Sequence, residues 1–178
     1  MRLTAFILVA AVVVVSCDTA KTPAAEKASQ QARKERPATV AAPPALAIAA
    51  WFGSDPLTLD GLKGKVVVID FWNTTCGPCR KLMPHLEGLY NKHKAEGLVV
   101  IGVTEDDKAD LEEFLKKNPV AYPIAADALK GGTGQTFDAY KIGSIPTACL
   151  IARDGSLAWK GPGNKLTDDL ILAELRRK

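Results

Sequence analysis

Residues Asp70 to Cys79 read DFWNTTCGPC, and they follow the apolar run Val66-Val67-Val68-Ile69. A run of this kind reads as a strand covered on both faces. Asp70 is the misfit within it, because an unpaired charge in such a place is costly to bury. Six residues further on comes the pair Cys76-Gly77-Pro78-Cys79. From Pro78 to Lys94, Leu82, Leu86, Leu89 and Tyr90 recur at helical spacing. The two cysteines therefore lie where a buried strand feeds a helix N-terminus. Free N–H groups and a partial positive charge at that end favour the thiolate, the reactive form of cysteine. Arg80 and Lys81 add positive charge, and Pro78 is tolerated in the first turn, where its missing N–H breaks no helical bond. Two residues between the cysteines leave the sulfurs close enough to bond, so the site can alternate between dithiol and disulfide.

Outward from this centre the chain alternates strands with helices. Leu98 to Val103 reads as a second buried strand and Leu111 to Lys117 as a second helix. Gly131-Gly132-Thr133-Gly134 reads as a flexible loop before a short helix at Gln135 to Tyr140; it lacks the Gly-Lys-Ser/Thr of a phosphate-binding loop. Thr147 to Ala152 and Ser156 to Lys160 flank Asp154-Gly155, a strong hairpin signal, and Leu166 to Arg177 reads as a closing helix. A strand–helix–strand unit followed by a hairpin and a helix predicts an α/β fold with a mixed central sheet flanked by helices. Residues 46–178 are long enough for one such domain.

The N-terminus has a different character. MRLTAFILVAAVVVVSC places Arg2 before an apolar stretch from Ala5 to Val15, shorter than the ~20 residues a spanning helix needs. This is the anatomy of a secretory signal peptide. Val14-Val15-Ser16-Cys17 resembles the lipobox of bacterial lipoproteins, which implies cleavage after residue 16 and lipidation of Cys17. Residues 17–45, rich in Ala, Lys, Glu, Gln and Pro, then read as a tether without apolar periodicity. The net charge of +3 and the lack of a basic stripe with interleaved aromatics argue against a nucleic-acid partner.

DFWNTTCGPC, with Ile145-Pro146-Thr147 far downstream, resembles the thioredoxin fold. Together with the lead-in from Pro56 to Lys65 and the lipoprotein signal, it is similar to the membrane-tethered TlpA/ResA-like thiol-disulfide oxidoreductases. The resemblance implies that Cys76 attacks a disulfide and that Cys79 resolves the mixed disulfide. It makes Asp70 the buried acid that exchanges a proton with Cys79, and Pro146 a cis-proline facing the pair. Trp72, Thr75, Gly77, Pro78 and Ile145 would then contact substrate, the Ile145 backbone by strand addition. Burial should raise the pKa of Asp70 well above the ~3.9 of a free aspartate. Two positions depart from the family pattern. Thr75 stands where Trp is usual before the first cysteine, and Leu82 stands where many relatives carry a Glu.

The implied function is reduction of disulfides in exported proteins, cytochrome c maturation being the family's best-known use, in the bacterial envelope on the periplasmic side. A membrane-embedded thiol-transporting electron donor would re-reduce the pair; no cofactor is implied. An alternative is a Cu(I) chaperone using the same thiolates. A thiol peroxidase is a third reading, although Asn73 stands where peroxidases of this fold carry Thr or Ser. Cys149 reads as a core residue. His85 and His93 read as surface or packing residues, because nothing completes a metal site around them.

Overall fold

The computed structural model describes residues 42–177. Its strands are β1 (Ile48–Phe52), β2 (Val66–Trp72), β3 (Leu98–Thr104), β4 (Ile124–Asp127), β5 (Leu129–Lys130), β6 (Thr133–Gly134), β7 (Thr147–Ile151) and β8 (Leu157–Pro162). Its helices are α1 (Gly77–His93), α2 (Lys108–Lys117), α3 (Gln135–Ala139) and α4 (Asp168–Leu175). Six strands form one sheet in the order β1-β4-β3-β2-β7-β8. β2, β3 and β4 run parallel, joined by crossovers that contain α1 and α2, while β1, β7 and β8 are antiparallel to their neighbours. The expected mixed α/β architecture is the one observed. The signal-peptide and lipid-anchor readings, Cys17 included, lie outside the described residues.

β2 sits at the centre with all seven residues buried. Side chains alternate along a strand, so Val66, Val68 and Trp72 face the core under α1, α2 and α4. Val67, Ile69 and Phe71 face a second layer, with Phe137 and Tyr140 from the region of α3 and Leu57, Leu59 and Leu62 from the lead-in. Each aliphatic side chain buried this completely contributes roughly 1.5–3 kcal/mol. The same alternation puts Asp70 on the α1 side, and Cys149 on the opposite side with Ile69 and Ile151.

The structure adds elements that the periodicity did not reveal. β1 and β4 pair at one edge of the sheet. Residues 131–134, read above as a flexible loop, are corrected: they turn a two-stranded hairpin of β5 and β6. Gly131 and Gly132, at φ +64° and +89°, occupy the left-handed region that this tight turn requires. Ahead of β1, the Pro44 carbonyl accepts the Tyr140 hydroxyl at 2.8 Å.

His93 is buried at the end of α1. Its Nδ1 lies 2.7 Å from Glu96 Oε1 and its Nε2 lies 2.7 Å from Asp168 Oδ1, so it joins the active-site helix to α4. Burial opposes its charge, but the two carboxylates outweigh that and hold its pKa above the ordinary histidine value. His93 therefore ties the end of α1 to α4.

Candidate active site

Cys76 caps α1. Its sulfur accepts the Cys79 backbone N–H at 3.1 Å, and Pro78 occupies the first turn, which contains no acidic residue. Cys76 and Cys79 are joined as a disulfide with Cα atoms 5.3 Å apart. The two sulfurs have unequal access: Cys76 is half-buried, whereas Cys79 is 0% exposed. Only Cys76 is accessible to an incoming disulfide.

The loop before Cys76 is tied down from a distance. Asp106, in the β3–α2 connection, accepts the Thr74 N–H at 2.7 Å and the Thr74 hydroxyl at 3.1 Å. The Thr104 hydroxyl donates to the same carboxylate at 2.6 Å. Asn73 Oδ1 accepts the Thr75 N–H and hydroxyl, and the Asn73 carbonyl accepts the Cys76 N–H at 3.2 Å. Asp106 was missed in the sequence because it lies 32 residues from its partner, with no local pattern to mark it.

Asp70 is 0% exposed, and among the described residues neither carboxylate oxygen has a hydrogen-bond partner. Burial alone raises its pKa to about 7. Tyr122, whose buried hydroxyl is also unpartnered, is held un-ionised by burial first and then by the charges of Asp70 and Glu87. The Ile145–Pro146 bond is cis. The Pro146 carbonyl accepts the Gly163 N–H at 3.0 Å, which brings the end of β8 over the proline.

Gly163 closes the roof over the acid. A Cβ there would lie 2.5 Å from Leu82 Cδ2, 3.3 Å from Pro146 Cβ and 3.7 Å from Asp70 Oδ1. Gly163→Ala is therefore expected to destabilise the protein by about 1–3 kcal/mol through overpacking and to slow thiol exchange. A denaturation curve measured beside an exchange rate checks both. Unchanged stability would mean that Leu82 swings aside freely.

The structure brings Gly77, Pro78 and Thr75 to the exposed surface around Cys76, with Ile145 half-buried on the opposing loop. Trp72, expected at the substrate surface, needs correcting. It is 1% exposed, because strand alternation turns its indole into the core, where it packs on Phe114 at 5.5 Å between centroids. Cys149 is buried on the other face of the sheet; burial, slightly opposed by Lys160, pushes its thiol up to about 12.

A six-stranded mixed sheet, a cysteine pair capping the helix after its central strand and a cis-proline in the strap before β7 define a thioredoxin-like protein of the dithiol–disulfide type. Residues 44–160 match the AhpC/TSA family, and the chain belongs to that family. It is 35% identical over 115 residues to the thiol-disulfide oxidoreductase ResA of Bacillus cereus, covering 64% of each chain. With ResA of Bacillus subtilis it is 32% identical over 116 residues, covering 65% of this chain and 62% of that protein. The chain thus spans less than two-thirds of the length of these curated relatives, 64% and 62% respectively. Among solved structures it resembles a thioredoxin-like superfamily protein, SPOA0173, with a TM-score of 0.67 and 27% identity over 79% of this chain and 99% of that one. It also resembles a Chlorobium tepidum protein described as the thiol:disulfide interchange protein DsbE, with a TM-score of 0.64 and 31% identity, over 76% of this chain and 96% of that one.

Proposed function

We propose that this protein is a thiol-disulfide oxidoreductase that reduces disulfides in exported proteins, tethered to a bacterial membrane through a lipid on Cys17. The observation that carries the exchange chemistry is the asymmetry of the pair: an accessible Cys76 on a helix N-terminus and an inaccessible Cys79 behind it. The Cys76 thiolate attacks one sulfur of a substrate disulfide and releases the other as a thiolate. Cys79 then attacks the Cys76 sulfur, so the substrate leaves as a dithiol and the protein as the disulfide. Asp70, whose pKa lies near neutrality, takes the Cys79 proton during that second attack. The cis Ile145–Pro146 strap presents backbone on which an extended substrate segment lies as an added strand.

The Gly77-Pro78 dipeptide supports the reducing direction, as in thioredoxin. A membrane-embedded thiol donor would restore the dithiol in an oxidising compartment. Cytochrome c maturation, where the cysteines of a haem-binding motif must be kept reduced, is the physiological role that fits the ResA-like resemblance.

Equilibrating the protein with glutathione and labelling its thiols gives its potential. A value below about −230 mV supports a reductant, and one above about −150 mV would reverse the direction while leaving the roles of the cysteines in place.

A further inference from the structure

A groove of about 560 Å³ begins at Gly77, next to Cys76, and runs between α1 and the C-terminal end of α2. Met83, Phe114 and Val120 supply apolar surface, while Arg80 and Lys81 are exposed on its α1 side. The Arg80 guanidinium carbon lies 5.4 Å from the centroid of the Phe114 ring, and that ring packs on buried Trp72. Arg80 is thus a cation held over an anchored aromatic face, which lowers the ordering cost of engaging a carboxylate. Among the described residues, neither Arg80 nor Lys81 has an ion-pair partner. The one carboxylate lining the groove, Glu87, accepts the Ala121 N–H at 2.9 Å; Asp110 and Glu113 line an adjoining pocket with Arg80, and Glu113 is paired with Lys117.

We propose that this groove is a substrate-specificity subsite that takes the polypeptide flank of the attacked cysteine and selects an acidic side chain lying against an apolar one. The proposal rests on the exchange reading above and adds which substrates it favours. Its register follows from geometry. Arg80 is four helical residues from Cys76, a rise of about 6 Å, which matches two residues of extended chain at roughly 3.3 Å each. The preferred acid therefore lies two positions from the target cysteine.

The test uses three synthetic peptides with one intrachain disulfide, identical except for Glu, Gln or Lys two positions from the attacked cysteine. Each is mixed with the reduced full chain, and thiol labelling follows formation of the Cys76–Cys79 disulfide. The dithiol's two electrons and two protons pass to the peptide, so no other reductant enters. The Glu peptide is expected to react about fivefold faster than the Lys peptide, the scale of one partly exposed charge contact. That ratio should fall towards one in 0.5 M salt, where the Debye length shrinks to roughly 4 Å. Arg80→Met should collapse the ratio, and Phe114→Leu, which removes the ring beneath the guanidinium, should lower it. Any change in Cys76 reactivity caused by losing Arg80 scales all three peptides alike and cancels in the ratio. Equal rates for the three peptides, or a Glu preference that survives Arg80→Met, would overturn the subsite and leave the exchange reading standing. If the protein proves to be an oxidant, the dithiol forms of the peptides should show the same ratio in reverse exchange. Failure to exchange with any peptide in either direction would overturn both readings.

Discussion

Cys76→Ser is expected to bring disulfide exchange down to the uncatalysed rate, a loss of roughly 10³-fold or more, because it removes the accessible nucleophile. Cys79→Ser should fail differently. Cys76 still attacks, but the residue behind it is 0% exposed and is now a hydroxyl that cannot resolve the bond. Mixed disulfides should therefore accumulate on Cys76, visible as added mass on a non-reducing gel and released by dithiothreitol. Partners captured this way would identify the substrate class directly. Trapping by Cys76→Ser in place of Cys79→Ser would exchange the assigned roles. Cys149→Ala should leave the rate unchanged, because that thiol is buried on the other side of the sheet.

Asp70→Asn should separate catalysis from stability. An amide cannot accept the Cys79 proton, so resolution of the mixed disulfide is expected to slow by about 10²-fold, the scale of a lost general base. The step near pH 7 in the rate profile of that reaction should vanish. Stability should move the opposite way. The folded-state pKa of Asp70 is about 7, against about 3.9 for an unfolded aspartate. Between those values the native state binds more protons than the unfolded chain, so stability falls as pH rises from about 4 and levels off above about 7. Three pKa units correspond to about 4 kcal/mol at pH 8, from which the desolvation of an unpaired amide, about 1–3 kcal/mol, must be subtracted. Asp70→Asn should then be more stable than the parent at pH 8 by roughly 1–3 kcal/mol, and less stable than it at pH 4, where the parent's acid is protonated in both states and only the amide's cost of about 1–3 kcal/mol remains. Denaturant titrations at the two pH values check this. A gain that does not change with pH would show that the carboxylate is not titrating inside the fold.

The elements of the fold were not equally legible in the sequence. Two segments carry their own signal: the continuous apolar run of β2, which only a strand buried on both faces accommodates, and α1, whose apolar residues recur at helical spacing. The short edge elements did not. Ile48–Phe52 and Ile124–Asp127 read IAAWF and IAAD, rich in alanine, which has no preference for a strand. They become strands because β3 offers a pairing edge to β4, and β4 in turn to β1. Trp72 was misread for a related reason. A motif places it beside the site in sequence, but strand alternation and the position of Phe114 decide which way the indole turns.

By itself, the sequence determined the pieces whose physics is local. The cysteine pair spans one helical turn at a helix start, the acid lies six residues upstream in an apolar run, and the proline precedes a strand. Local spacing marks the pair at the helix start and the acid as a misfit in its apolar run, while the resemblance to thioredoxins singled out the proline. The tertiary structure decided the rest, because it depends on groups far apart in the chain that meet only after the sheet has assembled. Asp106 reaches back to Thr74, Gly163 closes over Asp70 and Pro146, and Phe114 holds Arg80 beside the cysteines. Burial also belongs to this level. Asp70 has a pKa near 7 because the surrounding elements exclude water from it, and a one-dimensional pattern does not record that environment.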